Sequence, residues 1–328
     1  MAIPGTIDNG GIACAPATHC ALCGGEGDVL HRDLVDHLFD APGEWAIRRC
    51  AAPGCGLGWV DPQPLLGEIG ELYAGYYTHG AADGAGGRQS YVTPGWRGAV
   101  KRLLGTVLFW KSAVYRTDYF HLGDMPPGRV LEIGCGNGDF LRAIAERGWR
   151  ATGIDFDAAA VAAARSLPGV EARQGTLIEQ RFDEASFDAI VMNNVIEHVP
   201  DPAETIAECR RILRPGGRLV AITPNLDSFG HAAFGPDWRG LEPPRHLYLF
   251  SPATLRRMAR DAGFGRIQAF TSTGGGAVWG LLQASAEIAA KSGRSAPAES
   301  AAAIVQREKR AVALGRPAGE WAVLVATR

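Results

Sequence analysis

Two pairs of cysteines and one run of glycines are the residues of this chain whose types and spacing could do chemistry. Cys20 and Cys23 form a C-x-x-C pair followed by Gly24 and Gly25, and Cys50 and Cys55 form a second, wider pair followed by Gly56. Glycine beside each pair lets backbone N–H groups turn toward the sulfurs. Four thiolates satisfy the tetrahedral preference of Zn2+ and leave no coordination position open, so the pattern reads as a structural ion site. Buried free thiols, small apolar side chains in effect, are the competing reading. Seven cysteines in a chain whose first residues have neither a basic start nor an apolar core argue against a disulfide framework and for a cytoplasmic setting. Cys14, Cys135 and Cys209 are then spare thiols, and His19 is a substitute ligand.

The glycines stand in VLEIGCGNGDF, residues 130–140. Gly134, Gly136 and Gly138 follow a short apolar run and open what reads as a helix, the turn at which an open α/β sheet receives a ligand. A dinucleotide fingerprint is G-x-G-x-x-G, and its third small residue falls here on Asp139. The lysine of a P-loop has no counterpart. Downstream, GIDF places Asp155 at the end of a second apolar run, where a carboxylate can accept both hydroxyls of a ribose that carries no 2′-phosphate. Glycines without a phosphate role, followed by a ribose acid, fit S-adenosylmethionine. Taken singly, each glycine could be a turn, Glu132 could cap loop N–H groups, and Asp155 could belong to a helix cap.

The elements that must position these residues are set by periodicity. Apolar runs predict strands near 129–133, 151–155, 170–173, 187–192 and 217–223, and amphipathic stretches predict helices near 139–147, 157–166, 203–213 and 252–262. Alternation at this interval implies a parallel sheet covered on both faces. RIQAFTST and EWAVLVATR read as two closing strands, joined by an Ala-rich helical insertion at 277–314. At the front, about 70 residues are too few for a good core of their own, which gives a metal staple a physical purpose. The organisation expected is a module at 1–70 whose knuckles are joined by a hairpin, a linker or lid at 71–122, and a catalytic domain at 123–328. Near the start of the linker, Leu65, Leu66, Ile69 and Leu72 suggest a short helix, 80–90 a loop, and 95–121 a longer helix.

VLEIGCGNGDF, GIDF, FDAIVMNNVIEHVPDP and LRPGGRLVAITPN resemble, in order and spacing, the motifs of class I S-adenosylmethionine-dependent methyltransferases, in the branch of the ubiquinone-biosynthesis O-methyltransferases; the resemblance covers about 129–272. CALCGG, RRCAAPGCGLGWVDPQP and LYAGYYTHG resemble the zinc-bearing N-terminal region of sugar- and natural-product-modifying methyltransferases. The fold class implied is α/β, a Rossmann-like class I methyltransferase sheet, mostly parallel with an antiparallel closing strand, plus a small four-cysteine zinc module of Cys20, Cys23, Cys50 and Cys55.

Residue by residue, the resemblance implies that Gly134, Cys135, Gly136 and Gly138 let the backbone approach the methionine moiety and that Glu132 reaches its amino group. Asp155 takes the ribose, Phe156 packs on the adenine, Asn193 and Asn194 border the sulfonium, and Tyr77, beside Tyr76, forms a lid. Where the family often has an acid facing the adenine amine, this chain offers Gly175, Thr176 and Leu177. His246 of RHLYLFS resembles the histidine base of zinc-bearing sugar C-methyltransferases, in which an acid usually precedes it. Arg245 stands in that place and hints at an anionic substrate group. His198 of IEHVPDP shapes the site or shares in proton transfer.

Methyl transfer from a sulfonium is an in-line displacement, so the protein chiefly holds nucleophile, methyl and sulfur collinear. A base near neutral pH assists when the nucleophile is a hydroxyl. The expected acceptor is a sugar, glycan or small polar metabolite, O-methylated in preference to C-methylated, because the further C-terminal domain of the sugar C-methyltransferases has no match. An RNA- or protein-directed enzyme docking through the cysteine knuckles is the alternative. Against nucleic acid stand 33 Lys+Arg balanced by 35 Asp+Glu, a net charge of −2, with Arg97, Lys101 and Arg102 the best basic cluster. The most apolar run, 103–110, is far shorter than the roughly 20 residues a membrane span needs.

Overall fold

A computed structural model describes residues 5–70, 72, 120–273, 277–295 and 297–328. The expectations placed on 80–90 and 95–119, and on Tyr76, Tyr77, Arg97, Lys101 and Arg102, lie outside these residues. Six short strands build the N-terminal region: β1 (Ile7–Asn9), β2 (Ile12–Ala15), β3 (Gly27–Leu34), β4 (Trp45–Cys50), β5 (Gly58–Asp61) and β6 (Gln63–Pro64). β3, β4 and β5 pair antiparallel, so a hairpin does join the two cysteine knuckles. Trp45 and Trp59 are fully buried in it, and the Trp59 indole donates to Ala17 O at 2.6 Å. Gly27 makes room for that ring, since a Cβ there would stand 2.3 Å from it.

The short helix expected around Leu65 to Leu72 is a succession of turns across 65–70. Pro64 pairs with Cys14, the Leu65 N–H is bound to Ala13 O, and Gly67 and Gly70 interrupt the residues beyond.

From residue 129 the alternation unfolds as the apolar runs imply: β7 (Arg129–Ile133), α1 (Asp139–Ala145), β8 (Arg150–Asp155), α2 (Ala158–Arg165), β9 (Val170–Gln174), β10 (Phe187–Asn193), α3 (Pro202–Ile212) and β11 (Leu213–Pro224). After a short α4 (Phe229–Phe234) come β12 (Tyr248–Leu249), α5 (Pro252–Asp261), β13 (Arg266–Ser272), α6 (Ala277–Lys291), α7 (Ala301–Ala313) and β14 (Trp321–Thr327). Side-chain caps start the helices: Asp157 for α2, Asp201 for α3, Ser251 for α5 and Ser300 for α7 each accept from an N–H of the first turn.

The main sheet has the order β13-β14-β11-β10-β7-β8-β9. β7 to β11 pair in parallel, and β14 runs antiparallel between β11 and β13. The antiparallel strand therefore lies inside the sheet, and β13 forms the edge. Helices cover both faces, which is why Val130, Leu131, Ile190, Val191 and Met192 are all excluded from solvent along successive positions. Strand order reverses between β7 and β10, and that switch point opens a crevice beyond their carboxyl ends.

The N-terminal region is joined to this sheet by more than a tether. β12 adds to the hairpin sheet in the order β12-β5-β4-β3, with Tyr248 opposite Trp59. The Thr254 hydroxyl at the start of α5 donates to Cys55 O at 3.0 Å. The strands before residue 70 thus pack directly on the region that follows.

Candidate active site

The crevice is built from the turns after β7, β8 and β10. Gly134, Gly136 and Gly138 have φ of 70°, 50° and 81°, the left-handed region that a Cβ disfavours. Beside Gly136 there is open space, whereas a Cβ on Gly134 would meet Val195 Cγ2 at 2.4 Å. The main chain is thereby open beside Gly136 and packed shut behind it at Gly134.

Glu132 lies beneath this turn, almost wholly buried, and its Oε2 has no hydrogen-bond partner. Burial, reinforced by Asp155, raises its carboxyl well above the usual range. The loop N–H groups are instead held by Asp155, whose Oδ2 accepts from Gly136 N at 2.9 Å and Oδ1 from Asp157 N at 3.0 Å. Burial raises Asp155 too, with those N–H groups opposing. Phe156 is half exposed at the mouth, and Cys135 is buried behind the turn with its thiol pushed up to about 12 by burial. Asn194 takes φ 53° at the end of β10, and its buried Oδ1 has no partner.

After β9, Glu179 Oε2 accepts from Thr176 N at 2.8 Å and from its hydroxyl at 3.0 Å. An acid therefore does stand in the loop that offers Gly175, Thr176 and Leu177, just beyond them, and it is spent on closing that loop.

Two histidines lie next to each other beyond β10. The rings of His198 and His246 are 4.7 Å apart between centroids. His198 Nδ1 lies 2.9 Å from Arg245 O and His246 Nδ1 lies 2.8 Å from Gly240 O; because a carbonyl only accepts, each Nδ1 carries the hydrogen and each neutral ring presents Nε2 as an acceptor. Burial lowers both rings, His246 to about 3. His246 Nε2 stands 3.3 Å from Glu242 Oε2. Glu197, the neighbour of His198, is fully buried with both carboxylate oxygens unpartnered, and burial pushes it up to about 8.

The anion-binding role hinted for Arg245 is overturned. Its side chain is about 1% exposed, with the guanidinium on Asp36 Oδ2 at 2.6 Å and on Glu242 Oε1 at 3.1 Å. The acid that the sequence lacks immediately before His246 is supplied from four residues back, by Glu242. Burial alone would raise Glu242, but Arg239, His246 and Arg245 hold it well below the usual carboxylate range. The i, i+3, i+7 spacing of Arg239, Glu242 and His246 was the available signal.

In the N-terminal region the four thiols of Cys20, Cys23, Cys50 and Cys55 converge, all ligand atoms lying within 4.8 Å of one another. Cys20 and Cys55 are 3.6 Å apart at sulfur, Cys23 and Cys50 3.4 Å. Those separations approach the edge of about 3.8 Å that a tetrahedron of 2.3 Å Zn–S bonds has. A second group that could hold an ion is Glu197, His198 and His246, also within 4.8 Å. His19 points elsewhere, to the Thr18 hydroxyl, and Cys14 and Cys209 are buried apart from the cluster.

Residues 114–269 match the family described as "Methyltransferase domain". The chain carries a methyltransferase domain. A probable S-adenosylmethionine-dependent methyltransferase of Mycolicibacterium smegmatis is 38% identical to it over 148 residues, 44% of this chain and 56% of that protein. A ubiquinone biosynthesis O-methyltransferase of Alkalilimnicola ehrlichii is 35% identical over 162 residues, 45% of this chain and 65% of that protein. The chain thus spans somewhat over half the length of these curated relatives. A solved SAM-dependent methyltransferase of Archaeoglobus fulgidus aligns with a TM-score of 0.45 at 19% identity, over 71% of this chain and 95% of that one. Within the matched residues the Gly136 N–H is bound to Asp155, and Val195, the neighbour of Asn194, packs against Gly134. No helix among the described residues is long and apolar enough to cross a membrane.

Proposed function

We propose that this chain is an S-adenosylmethionine-dependent methyltransferase that O-methylates a glycan or small polar metabolite. The observation that carries the reading is the orphaned Glu132 Oε2 buried under a turn of three left-handed glycines, with open space at Gly136 and a carboxylate, Asp155, across it. Two acidic side chains beside a main-chain turn suit an ammonium and a ribose diol, and would repel a pyrophosphate. On this reading Phe156 and Thr176 would flank the adenine and Asn193 and Asn194 the sulfonium, with Cys135 and Gly138 packed behind the turn.

S-adenosylmethionine, when bound, supplies an electrophilic methyl group on a sulfur that departs as a neutral thioether. The chain's part is to exclude water, align the acceptor oxygen and take its proton. His246 in its neutral form offers Nε2 for that proton, and the resulting imidazolium is matched at both nitrogens, by Gly240 O and by Glu242. Once the acceptor oxygen carries the methyl, the proton rests on His246. His198, against the other ring, orients it. The four converging thiols serve as a structural zinc site.

A second reading of the same atoms is favoured by the orphaned Glu197 carboxylate: Glu197, His198 and His246 as ligands of a divalent ion that draws the acceptor hydroxyl toward deprotonation. Incubation with methyl-labelled S-adenosylmethionine and fractionated cell extract, with and without EDTA, separates the possibilities. Label in nucleotide sugars, glycan or small hydroxylated metabolites supports the proposal, and label confined to RNA or protein defeats it. EDTA-sensitive labelling restored by Mg2+ favours the ion over the free base.

A further inference from the structure

The two imidazoles of the crevice are held from a remote part of the chain. Asp36 sits in the loop between β3 and β4, where its Oδ1 accepts from Leu38 N and Phe39 N, each at 3.1 Å, and its Oδ2 from Ala41 N at 3.2 Å. The same Oδ2 takes the Arg245 guanidinium at 2.6 Å. Phe39 of that loop lies under the cation, with Arg245 Cζ 4.7 Å and Arg239 Cζ 5.5 Å from its ring centroid. Arg245 passes the constraint on in two ways. Its side chain grips Glu242, which faces His246 Nε2, and its own carbonyl receives the His198 Nδ1 hydrogen.

Glu242 has φ 35°, a conformation a non-glycine residue adopts only when its surroundings impose it. Its ties to Arg239, Arg245 and His246 supply the imposition. Two carboxylates and two guanidinium groups balance in this buried cluster, so removing Asp36 leaves Arg245 without half its counter-charge and free to pull Glu242 away from His246.

We propose that Asp36, carried by the cysteine-bearing region, is a positioning residue for methyl transfer, acting through Arg245 on Glu242, His246 and His198. The cysteine hairpin is on this account a wall that aligns the catalytic loop. The proposal rests on the reading that His246 serves methyl transfer.

The test compares full-length Asp36→Asn, Asp36→Glu and Phe39→Leu with the parent and with His246→Gln. Each is followed by calorimetric binding of S-adenosylhomocysteine, by label transfer into the accepting extract fraction, and by nitrogen-15 histidine spectra of the rings. The expected result for Asp36→Asn is transfer slowed about 10- to 100-fold, the scale on which small misplacement costs rate. S-adenosylhomocysteine affinity stays within about twofold, and the His246 and His198 resonances shift while those of distant His19 do not. Asp36→Glu, which keeps the charge, recovers most of the rate, and Phe39→Leu gives an intermediate loss should Asp36→Asn fold poorly. Unchanged rate and unchanged ring signals in Asp36→Asn and Phe39→Leu overturn the proposal, as does a parallel loss of rate and donor binding in all three. Full activity in His246→Gln instead removes the base role, while the ring spectra still decide whether Asp36 holds the histidines.

Discussion

Val195 closes over Gly134 so tightly that a methyl group built on the glycine would stand 2.4 Å from Val195 Cγ2. The turn after β7 and the turn after β10 are thus in van der Waals contact on the inner side of the crevice, and the strand-order reversal is what brings them together. Gly134→Ala would have to displace Val195, and through it the loop carrying Asn194 and His198. With the added strain of φ 70°, a loss of about 1–3 kcal/mol in stability is expected, together with donor affinity weakened tenfold or more. Thermal melts and calorimetry check both, and Gly136→Ala, facing open space, should affect binding far more than packing.

Asp155 ties the glycine turn to the start of α2 by accepting from Gly136 N and Asp157 N. Hydrogen bonds to a charged group contribute about 1.5–3 kcal/mol. Asp155→Asn, which keeps only one of the two acceptor oxygens, is therefore expected to lower Tm as well as to weaken S-adenosylhomocysteine binding by about 10- to 100-fold, measured by calorimetry. Binding unaltered by the substitution would show that the carboxylate serves only the loop.

Glu308 on α7 and Glu320 before β14 give the fold a pH dependence. Burial raises Glu308 to about 8, and burial raises Glu320 to about 7 even though the Trp238 indole and Gly230 N–H donate to it. Each folded pKa is above the unfolded one, so the neutral form is favoured by folding. Their contribution is fully present below about pH 4.5 and is lost as pH rises through 7 to 8, at up to about 1.4 kcal/mol per group per pH unit. Glu308→Gln, whose parent carboxylate oxygens have no partner, should raise Tm at pH 8 and leave it nearly unchanged at pH 5. Equal shifts at both pH values would argue for a packing effect.

The four-thiol site predicts one zinc per chain by elemental analysis. Cys55→Ser should lower Tm by several degrees or more, because it removes one of the four sulfurs that converge there. Thiolate ligation makes the same site lose metal on acidification. Protein free of zinc and as stable as before chelation would contradict the assignment.

The strands and helices from 129 to 272 are legible in the sequence because each is encoded by its own residues: apolar runs for buried parallel strands, Asp or Ser caps and amphipathic spacing for helices, glycines at the turn that needs positive φ. The converging cysteines are legible for the same reason, since each pair makes its own knuckle. The segment around Leu65 misleads because its leucines mimic helical spacing, while Pro64 and two glycines settle the backbone otherwise. Arg245 misleads because a cation near a candidate base suggests an anion, and its true partner, Asp36, is remote in sequence.

The amino-acid order alone therefore determined the strands, the glycine turn and the two cysteine pairs, all of them products of local backbone preference and short-range pattern. What only the folded chain decided is which groups face one another: Asp36 on Arg245, Arg239 and Arg245 on Glu242, and Glu197 left without a hydrogen-bond partner beside His198. Coulomb and hydrogen-bond energies depend on distance through space, and no spacing along the chain states that residue 36 will end 2.6 Å from residue 245.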